Sequence, residues 1–138
     1  MNSISIFWPV IVQVALIYVI YLIASNRRVG AVKRGEVKSR EFLVPINEPA
    51  QSATAIRSLV NQFELPMLFI FVCIAFYLIS AVNIVVLVLA WAFVISRIVH
   101  AAIHVTTNAL MQRRAAFIVG FFINGLLWLY FAYRLAIA

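Results

Sequence analysis

The sequence predicts an all-α integral membrane protein, a bundle of four transmembrane helices that forms one domain over residues 1–138. Hydrophobic residues make up 66% of the chain and charged residues only 11%, whereas an ordinary soluble domain has roughly 25% charged residues. The apolar residues also fall into four stretches of about 20 residues, which is the length that a helix needs to cross a hydrocarbon core of about 30 Å. Together these two observations predict four membrane spans.

The predicted spans are residues 5–24, 58–80, 84–106 and 115–137, and a long connection, residues 26–57, joins the first two. The leading sequence, "MNSISIFWP", has no basic residue, and no small-residue cleavage site follows the apolar run. We therefore interpret the first span as a permanent helix and not as a cleaved signal peptide.

Glycine and proline residues indicate where helices end and bend. Gly35 predicts that a helical extension of span 1 ends near this position, and Pro45 and Pro49 predict an extended chain after it. Pro66 predicts a kink early in span 2, because proline removes an amide donor and strains the carbonyl four positions earlier. Only "SAVN", residues 80–83, joins spans 2 and 3, so we predict that they pack side by side as an antiparallel hairpin.

The basic residues are concentrated beside the spans, and the chain has a formal net charge of +7. Seven Lys and Arg residues lie in residues 26–57 and two in residues 105–114, whereas the opposite end of the bundle has Arg134. The positive-inside rule therefore predicts that the connection around Ser39 is cytosolic and that both termini lie outside. Because this distribution indicates topology, we predict no nucleic-acid partner; contact of the connection with anionic lipid stays open.

Two short motifs place polar side chains inside the apolar spans. In span 2 "RSLVNQFELP" and in span 3 "SRIVHAAIH" each put three polar residues on one helical stripe. These residues are Arg57, Asn61, Glu64, Arg97, His100 and His104. At 1.5 Å per residue, Glu64 and Arg97 lie roughly 10 Å and roughly 13 Å from the inner ends of their helices. The two stripes are therefore predicted to meet at one level.

Three interpretations of this polar group stay open. Arg97 and Glu64 can form a buried ion pair that only specifies helix packing. The group can instead bind a small polyanionic ligand, because it has more donors than a pair needs and further arginines, Arg27, Arg28, Arg113 and Arg114, are predicted at its mouth. A metal or haem site is disfavoured, since both histidines lie on span 3 and the chain has no third histidine.

These motifs resemble the MAPEG superfamily, the membrane-associated proteins in eicosanoid and glutathione metabolism, and within it the uncharacterised bacterial branch. The resemblance covers nearly the whole chain: four spans, a long basic first connection and a tight turn between spans 2 and 3. The motifs "RSLVNQFELP", "SRIVH" and "QRRAAF" follow the family's order. The resemblance implies a homotrimer in a bacterial inner membrane, with glutathione as a cosubstrate bound between subunits near the cytosolic face.

The resemblance also implies roles for individual residues. Arg113 matches the arginine that stabilises the glutathione thiolate in catalytic members, so it is the predicted catalytic residue; a nearby guanidinium lowers a thiol pKa from its usual value of about 8.5. His104 lies seven residues after Arg97, where catalytic members often carry a tyrosine. The predicted glutathione-binding residues are Arg28 (or its neighbour Arg27), Arg57, Asn61, Glu64, Arg97, His100, His104 and Arg114.

Two functions from different classes follow. The first is a glutathione-dependent transferase or peroxidase that acts on lipophilic electrophiles or lipid hydroperoxides entering from the bilayer. The second is a non-catalytic membrane scaffold that binds lipid or thiol. A small transporter is disfavoured, because the chain has no repeat symmetry. Four aromatic residues are candidates for an apolar substrate wall, with ordinary core or lipid contact as the alternative: Tyr18, Tyr21, Phe117 and Phe121.

Overall fold

A computed structural model describes residues 2–43 and 48–137 of the chain. The helices in these ranges are α1 (Phe7–Lys33), α2 (Ala50–Gln62), α3 (Leu65–Leu78), α4 (Ile84–Val105) and α5 (Leu110–Ala136), with 3-10 turns at Ser3–Ile6 and Ser39–Leu43. Four stretches are long and apolar enough to cross a membrane: Ser3–Lys33, Ala50–Leu78, Ile84–Val105 and Leu110–Ala136. The predicted class, an all-α bundle with four spans, is confirmed. The predictions at Pro45 and for the last residue, Ala138, lie outside the described residues.

The first span ends as its glycine predicts. Gly35 adopts a left-handed conformation with φ of 73°. Its amide donates to the carbonyl of Val32 at 3.0 Å, and the amide of Glu36 donates to the carbonyl of Ala31 at 3.1 Å. This pair of hydrogen bonds is the Schellman arrangement, which satisfies the last carbonyls of a helix and favours glycine at this position.

The second span is broken where its proline predicts a kink. Pro66 lies in the first turn of α3, where its missing amide costs nothing, whereas α2 ends at Gln62. Glu64 lies in the break with non-helical backbone angles, φ −97° and ψ −102°. The Glu64 side chain is exposed at this break.

Spans that follow one another in the chain pack most closely, except across the turn between α3 and α4. The closest backbone packing is between α4 and α5 and between α1 and α2. The predicted side-by-side hairpin of spans 2 and 3 is right for α2, which packs on α4, and wrong for α3, whose backbone lies closer to α5. The helices α3 and α4 still touch through stacked rings of Phe69 and Phe93, whose centroids are 4.3 Å apart. The polar halves of spans 2 and 3 therefore meet, while their apolar halves share a core with α5.

The basic end of α1 holds the long connection against the bundle. Arg27 donates to the carbonyl of Gln51 at 2.9 Å, to Thr54 Oγ1 at 3.2 Å and to the carbonyl of Val105. Arg28 forms a bidentate ion pair with Glu48, with both N–O distances 2.7 Å. The hydrogen bonds from Arg28 are the main reason that the pKa of the Glu48 carboxyl is lowered. Both arginines thus link α1 to the start of span 2.

The Glu48 pair predicts a pH-dependent stability. Because the pKa of Glu48 is lowered in the folded protein, its contribution is present above the unfolded value of about 4.3 and is lost as the pH falls through the folded pKa. We expect Glu48→Gln to lower the thermal midpoint at pH 7 and to have no effect in strong acid. The matched control is Glu36→Gln, which breaks the exposed Arg34–Glu36 pair and should change nothing measurable. Equal effects of the two variants across the pH range would contradict this assignment.

Candidate functional site

A cavity of about 490 Å³ opens between α2, α4 and the start of α5, within the range of about 300–1,000 Å³ typical of small-molecule sites. It is lined by Arg57, Val60, Asn61, Glu64, His100, His104, Leu110, Arg113, Arg114 and Phe117. Seven of the nine residues predicted from the sequence therefore line one cavity. The alignment of the two polar stripes, predicted by counting from the helix ends, is confirmed.

The floor of this cavity is a hydrogen-bonded network of Arg97, Asn61 and Glu64, which we call the floor network. Arg97 is completely buried, and its Nη2 donates to Asn61 Oδ1. Asn61 Nδ2 in turn donates to Glu64 Oε2 at 2.8 Å. Arg97 and Glu64 form no direct ion pair, which was one of the three interpretations left open: Asn61 lies between them. An amide can do this because it offers an acceptor to the guanidinium and a donor to the carboxylate.

The remaining donors of Arg97 have no partner among the described residues. These are Nε and Nη1, both fully buried. The guanidinium carbon lies 5.9 Å from the centre of the Phe117 ring, so one face of the charge packs against an aromatic wall. A buried cation with free donors is costly unless further polar groups reach it.

Two histidines form the wall of the cavity on α4. The side chains of His100 and His104 are nearly buried, and their ring centroids are 5.6 Å apart in an edge-to-face arrangement. Both ring nitrogens of His104 and Nδ1 of His100 have no hydrogen-bond partner in the described part of the chain. In that same part, no three His, Cys, Asp or Glu side chains come together as a metal site would require.

Arginines surround the mouth of the cavity, and one of them is held in place. Arg113 donates from Nη1 to Asn108 Oδ1 at 2.5 Å. Asn108 has a left-handed conformation, φ 49°, and its amide donates to the carbonyl of Ile103 at 2.7 Å, which ends α4. Asn108 was not predicted from the sequence, although asparagine is one of the residues that most readily adopt the left-handed conformation after a helix. Arg57 and Arg114 are exposed at the rim, so three guanidinium groups face one carboxylate.

Several predicted residues lie elsewhere. Arg28 does not line the cavity, because its guanidinium is paired with Glu48, and Arg27 is bonded to the connection and the end of α4. Arg97 belongs to the floor network but is completely buried, so it does not line the cavity. Among the aromatic candidates for a substrate wall, Phe117 lines the cavity. The other three are exposed on the outside of the bundle: Tyr18, Tyr21 and Phe121.

A close helix crossing positions Arg97. Gly120 on α5 lies against Ser96 and Arg97, so that a Cβ added at position 120 would lie 2.8 Å from Ser96 Oγ and 3.6 Å from Arg97 Cδ. The Ser96 side chain cannot move away without losing a hydrogen bond, since its hydroxyl donates to the carbonyl of Phe93 at 2.6 Å. Only a glycine lets the two helices approach this closely beneath the cavity.

We therefore expect Gly120→Leu to destabilise the protein by about 1–3 kcal/mol, the usual cost of overpacking, and to displace Arg97 from the floor network. The matched control is Gly125→Leu on the same helix, because a Cβ there meets no atom within 4 Å. Thermal unfolding in detergent measures the difference. Equal midpoints for the two variants would show that the crossing at Gly120 does not constrain Arg97.

The fold and the cavity define a class of protein: a helical membrane protein with four spans and an arginine-rich cavity set into one end of the bundle. Comparison with family models identifies the family within this class. The model of the MAPEG family matches residues 5–133, so the chain belongs to this family of membrane proteins in glutathione and eicosanoid metabolism. Comparisons with curated proteins and with solved structures gave no significant match.

Proposed function

We propose that the cavity binds glutathione and that the protein is a glutathione-dependent transferase or peroxidase. Its second substrates would be lipophilic electrophiles or lipid hydroperoxides. The observation that carries this proposal is the lining of the cavity, where three arginines and one carboxylate converge in a chain of the MAPEG family. The proposal goes beyond family membership, because it names the ligand of this cavity and the reaction.

The charges of the cavity complement those of glutathione. The tripeptide carries two carboxylates, one ammonium group and a thiol. Arg57 and Arg114 at the rim offer guanidinium donors, which bind carboxylates in bidentate geometry. Glu64 offers a carboxylate to the ammonium group, and the floor network holds Glu64 in place through Asn61. A ligand carboxylate or carbonyl deep in the cavity would also supply polar partners near Arg97.

We assign thiol activation to Arg113. Its guanidinium lies at the mouth, held by Asn108, where it favours a thiolate over a thiol. His104 lines the same cavity and offers a ring N–H that can donate to the sulfur. In conjugation the thiolate sulfur forms a bond to the electrophilic carbon while the bond from that carbon to its leaving group breaks, and the leaving group departs with the electron pair. In an addition, the π-electron pair moves instead to the adjacent atom, which takes up a proton. The thiol proton passes to solvent. The apolar lining residues Val60, Leu110 and Phe117 suit a substrate that enters from the bilayer.

A second candidate function is the non-catalytic scaffold that binds lipid or thiol. The observation that favours it is His104, which stands where catalytic members often carry a tyrosine. The two candidates differ in one measurable property. An enzyme must ionise the bound thiol, whereas a scaffold need not.

Calorimetric titration of the purified protein with glutathione, followed by thiolate absorbance, tests the proposal. We expect saturable binding and a thiolate signal at pH 7 that is absent with S-methylglutathione. No heat and no thiolate at saturating glutathione would refute the proposal. Binding without thiolate would leave the scaffold as the function.

We also propose that the protein is a homotrimer in a bacterial inner membrane, with both termini outside and the cavity facing the cytoplasm. Arg57, Glu64 and Arg114 are exposed in the single chain, so a neighbouring subunit can complete the rim of the cavity. Native mass spectrometry in mild detergent should give three chains of 15.6 kDa per particle. A stable monomer that still binds glutathione would contradict an intersubunit site.

A further inference from the structure

A second groove lies at the inner end of α1 and shares no residue with the cavity. It lies between the last two turns of α1 and the 3-10 turn Ser39–Leu43, with a volume of about 330 Å³. Its lining residues are Arg28, Val29, Val32, Lys33, Ser39 and Phe42. We call it the interfacial groove, because its position along the helix places it at the membrane boundary.

The length of α1 indicates where the interfacial groove lies relative to the membrane. The helix has 27 residues, or about 40 Å at 1.5 Å per residue, whereas the hydrocarbon core is about 30 Å thick. The last turns of α1 therefore extend out of the hydrocarbon core. The groove, which begins at Arg28, lies at the level of lipid head groups.

One side of the interfacial groove is apolar and continues toward the hydrocarbon. Phe42 packs under the Arg28 guanidinium, with 4.9 Å between the guanidinium carbon and the ring centre. Val29 is half exposed beside it. Leu22, two turns earlier on the same stripe of α1, is 64% exposed. A hydrocarbon chain of a ligand bound in the groove could thus extend along α1 into the bilayer.

The other side of the groove is cationic. The carboxylate of Glu48 neutralises Arg28 at 2.7 Å, and that of Glu36 neutralises Arg34 at 2.6 Å. Lys33 is exposed at the groove and forms no ion pair with any described residue. The hydroxyl of Ser39 lines the same groove. The segment 33–43 contains four cationic residues and two carboxylates, so its field is positive.

We infer that the interfacial groove binds an anionic phospholipid. Its phosphate lies between Lys33 and Ser39, and one acyl chain packs against Val29, Val32 and Phe42. Positive charge at head-group depth favours an anionic head group. The apolar wall favours a lipid over a soluble anion, because a soluble anion would gain no binding free energy from contact with Val29 or Leu22. Such a lipid would hold the start of the connection to the membrane at a distance from the glutathione cavity.

Native mass spectrometry of the full chain tests this inference. The purified protein is mixed with phosphatidylglycerol or phosphatidylcholine that carry the same acyl chains, and bound lipid is counted. We expect phosphatidylglycerol to bind more tightly and Lys33→Gln to weaken it about fivefold, the effect of one interfacial lysine. Lys38→Gln is the matched control, because it removes the same charge from the same segment outside the groove, and it should have little effect.

Three results would overturn the inference. Equal losses in the Lys33 and Lys38 variants would indicate a diffuse charge effect without a site. Equal binding of the two lipids would remove the role of the phosphate charge. Displacement of the lipid by inorganic phosphate alone would make the groove a site for a soluble anion. Thermal midpoints and glutathione titration of both variants serve as folding controls and should match those of the wild type.

Discussion

Arg97→Leu is expected to weaken glutathione binding strongly, although Arg97 does not line the cavity. The substitution removes the guanidinium that holds Asn61 and, through it, Glu64. Losing one partner of a buried charged network costs binding about 2–5 kcal/mol, so the Kd should rise about 30-fold or more. Calorimetry on the variant measures this, with thermal unfolding as the control for folding.

Two variants at Glu64 separate a ligand site from a packing network. Glu64→Gln keeps an oxygen that can accept from Asn61 but loses the charge proposed to pair with the ligand's ammonium group. We expect it to fold normally and bind glutathione weakly. If Arg97 and Glu64 serve packing alone, replacing both by leucine should be neutral or stabilising and glutathione affinity should be unchanged. That second outcome in a folded protein would end the glutathione hypothesis.

Arg113→Ala is expected to spare most of the binding and to suppress the thiolate. A guanidinium beside the sulfur favours the charged form, so its removal should raise the thiol pKa toward its free value of about 8.5. Each unit of this shift is equivalent to about 1.4 kcal/mol, and it lowers the thiolate fraction about tenfold at any pH well below the thiol pKa. The thiolate absorbance of bound glutathione, measured against pH, gives the shift directly.

Two further variants make the Arg113 test specific. Arg114→Ala removes an exposed guanidinium from the same rim and should weaken binding without moving the thiol pKa. Asn108→Ala removes the hydrogen bond that holds Arg113 and should raise the thiol pKa by less than Arg113→Ala. Equal thiolate in the wild type and the Arg113 variant would move the role to Arg114 or His104, which line the same cavity, or favour the scaffold.

Much of the architecture could be predicted because the bilayer imposes strong constraints. Span length follows from membrane thickness, and the end of α1 follows from Gly35, which supplies the left-handed conformation that a helix cap needs. Helical periodicity also placed Asn61 and Arg97 on facing stripes at one level. These are properties of a helix and its axis, so a single sequence can show them.

The individual partners could not be predicted in the same way. Periodicity gives the face and depth of a side chain but not its rotamer, so the sequence could not show that Arg97 reaches Asn61 and not Glu64. It also could not show that Gln13 in span 1 donates to buried Gln62 at 3.0 Å. Nor could it show that α3, after the interruption of the span at Glu64, packs closer to α5 than to α4.

The ion pair between Arg28 and Glu48 could not be predicted for a different reason. The sequence placed Arg28 beside the cavity because both lie at the inner end of the spans. In the folded chain the Glu48 carboxylate, at the far end of the connection, accepts hydrogen bonds from both Nε and Nη2 of Arg28. A contact between two residues 20 positions apart leaves no periodic signal in the sequence.

A structure of the wild-type protein determined by electron cryo-microscopy in nanodiscs with saturating glutathione tests the central claim most directly. We predict density for the tripeptide in the cavity between α2, α4 and α5, with its sulfur closest to the Arg113 guanidinium and its ammonium group at Glu64. Glutathione bound elsewhere on the protein, or a cavity without ligand density at saturation, would contradict the assignment of this cavity as the glutathione site.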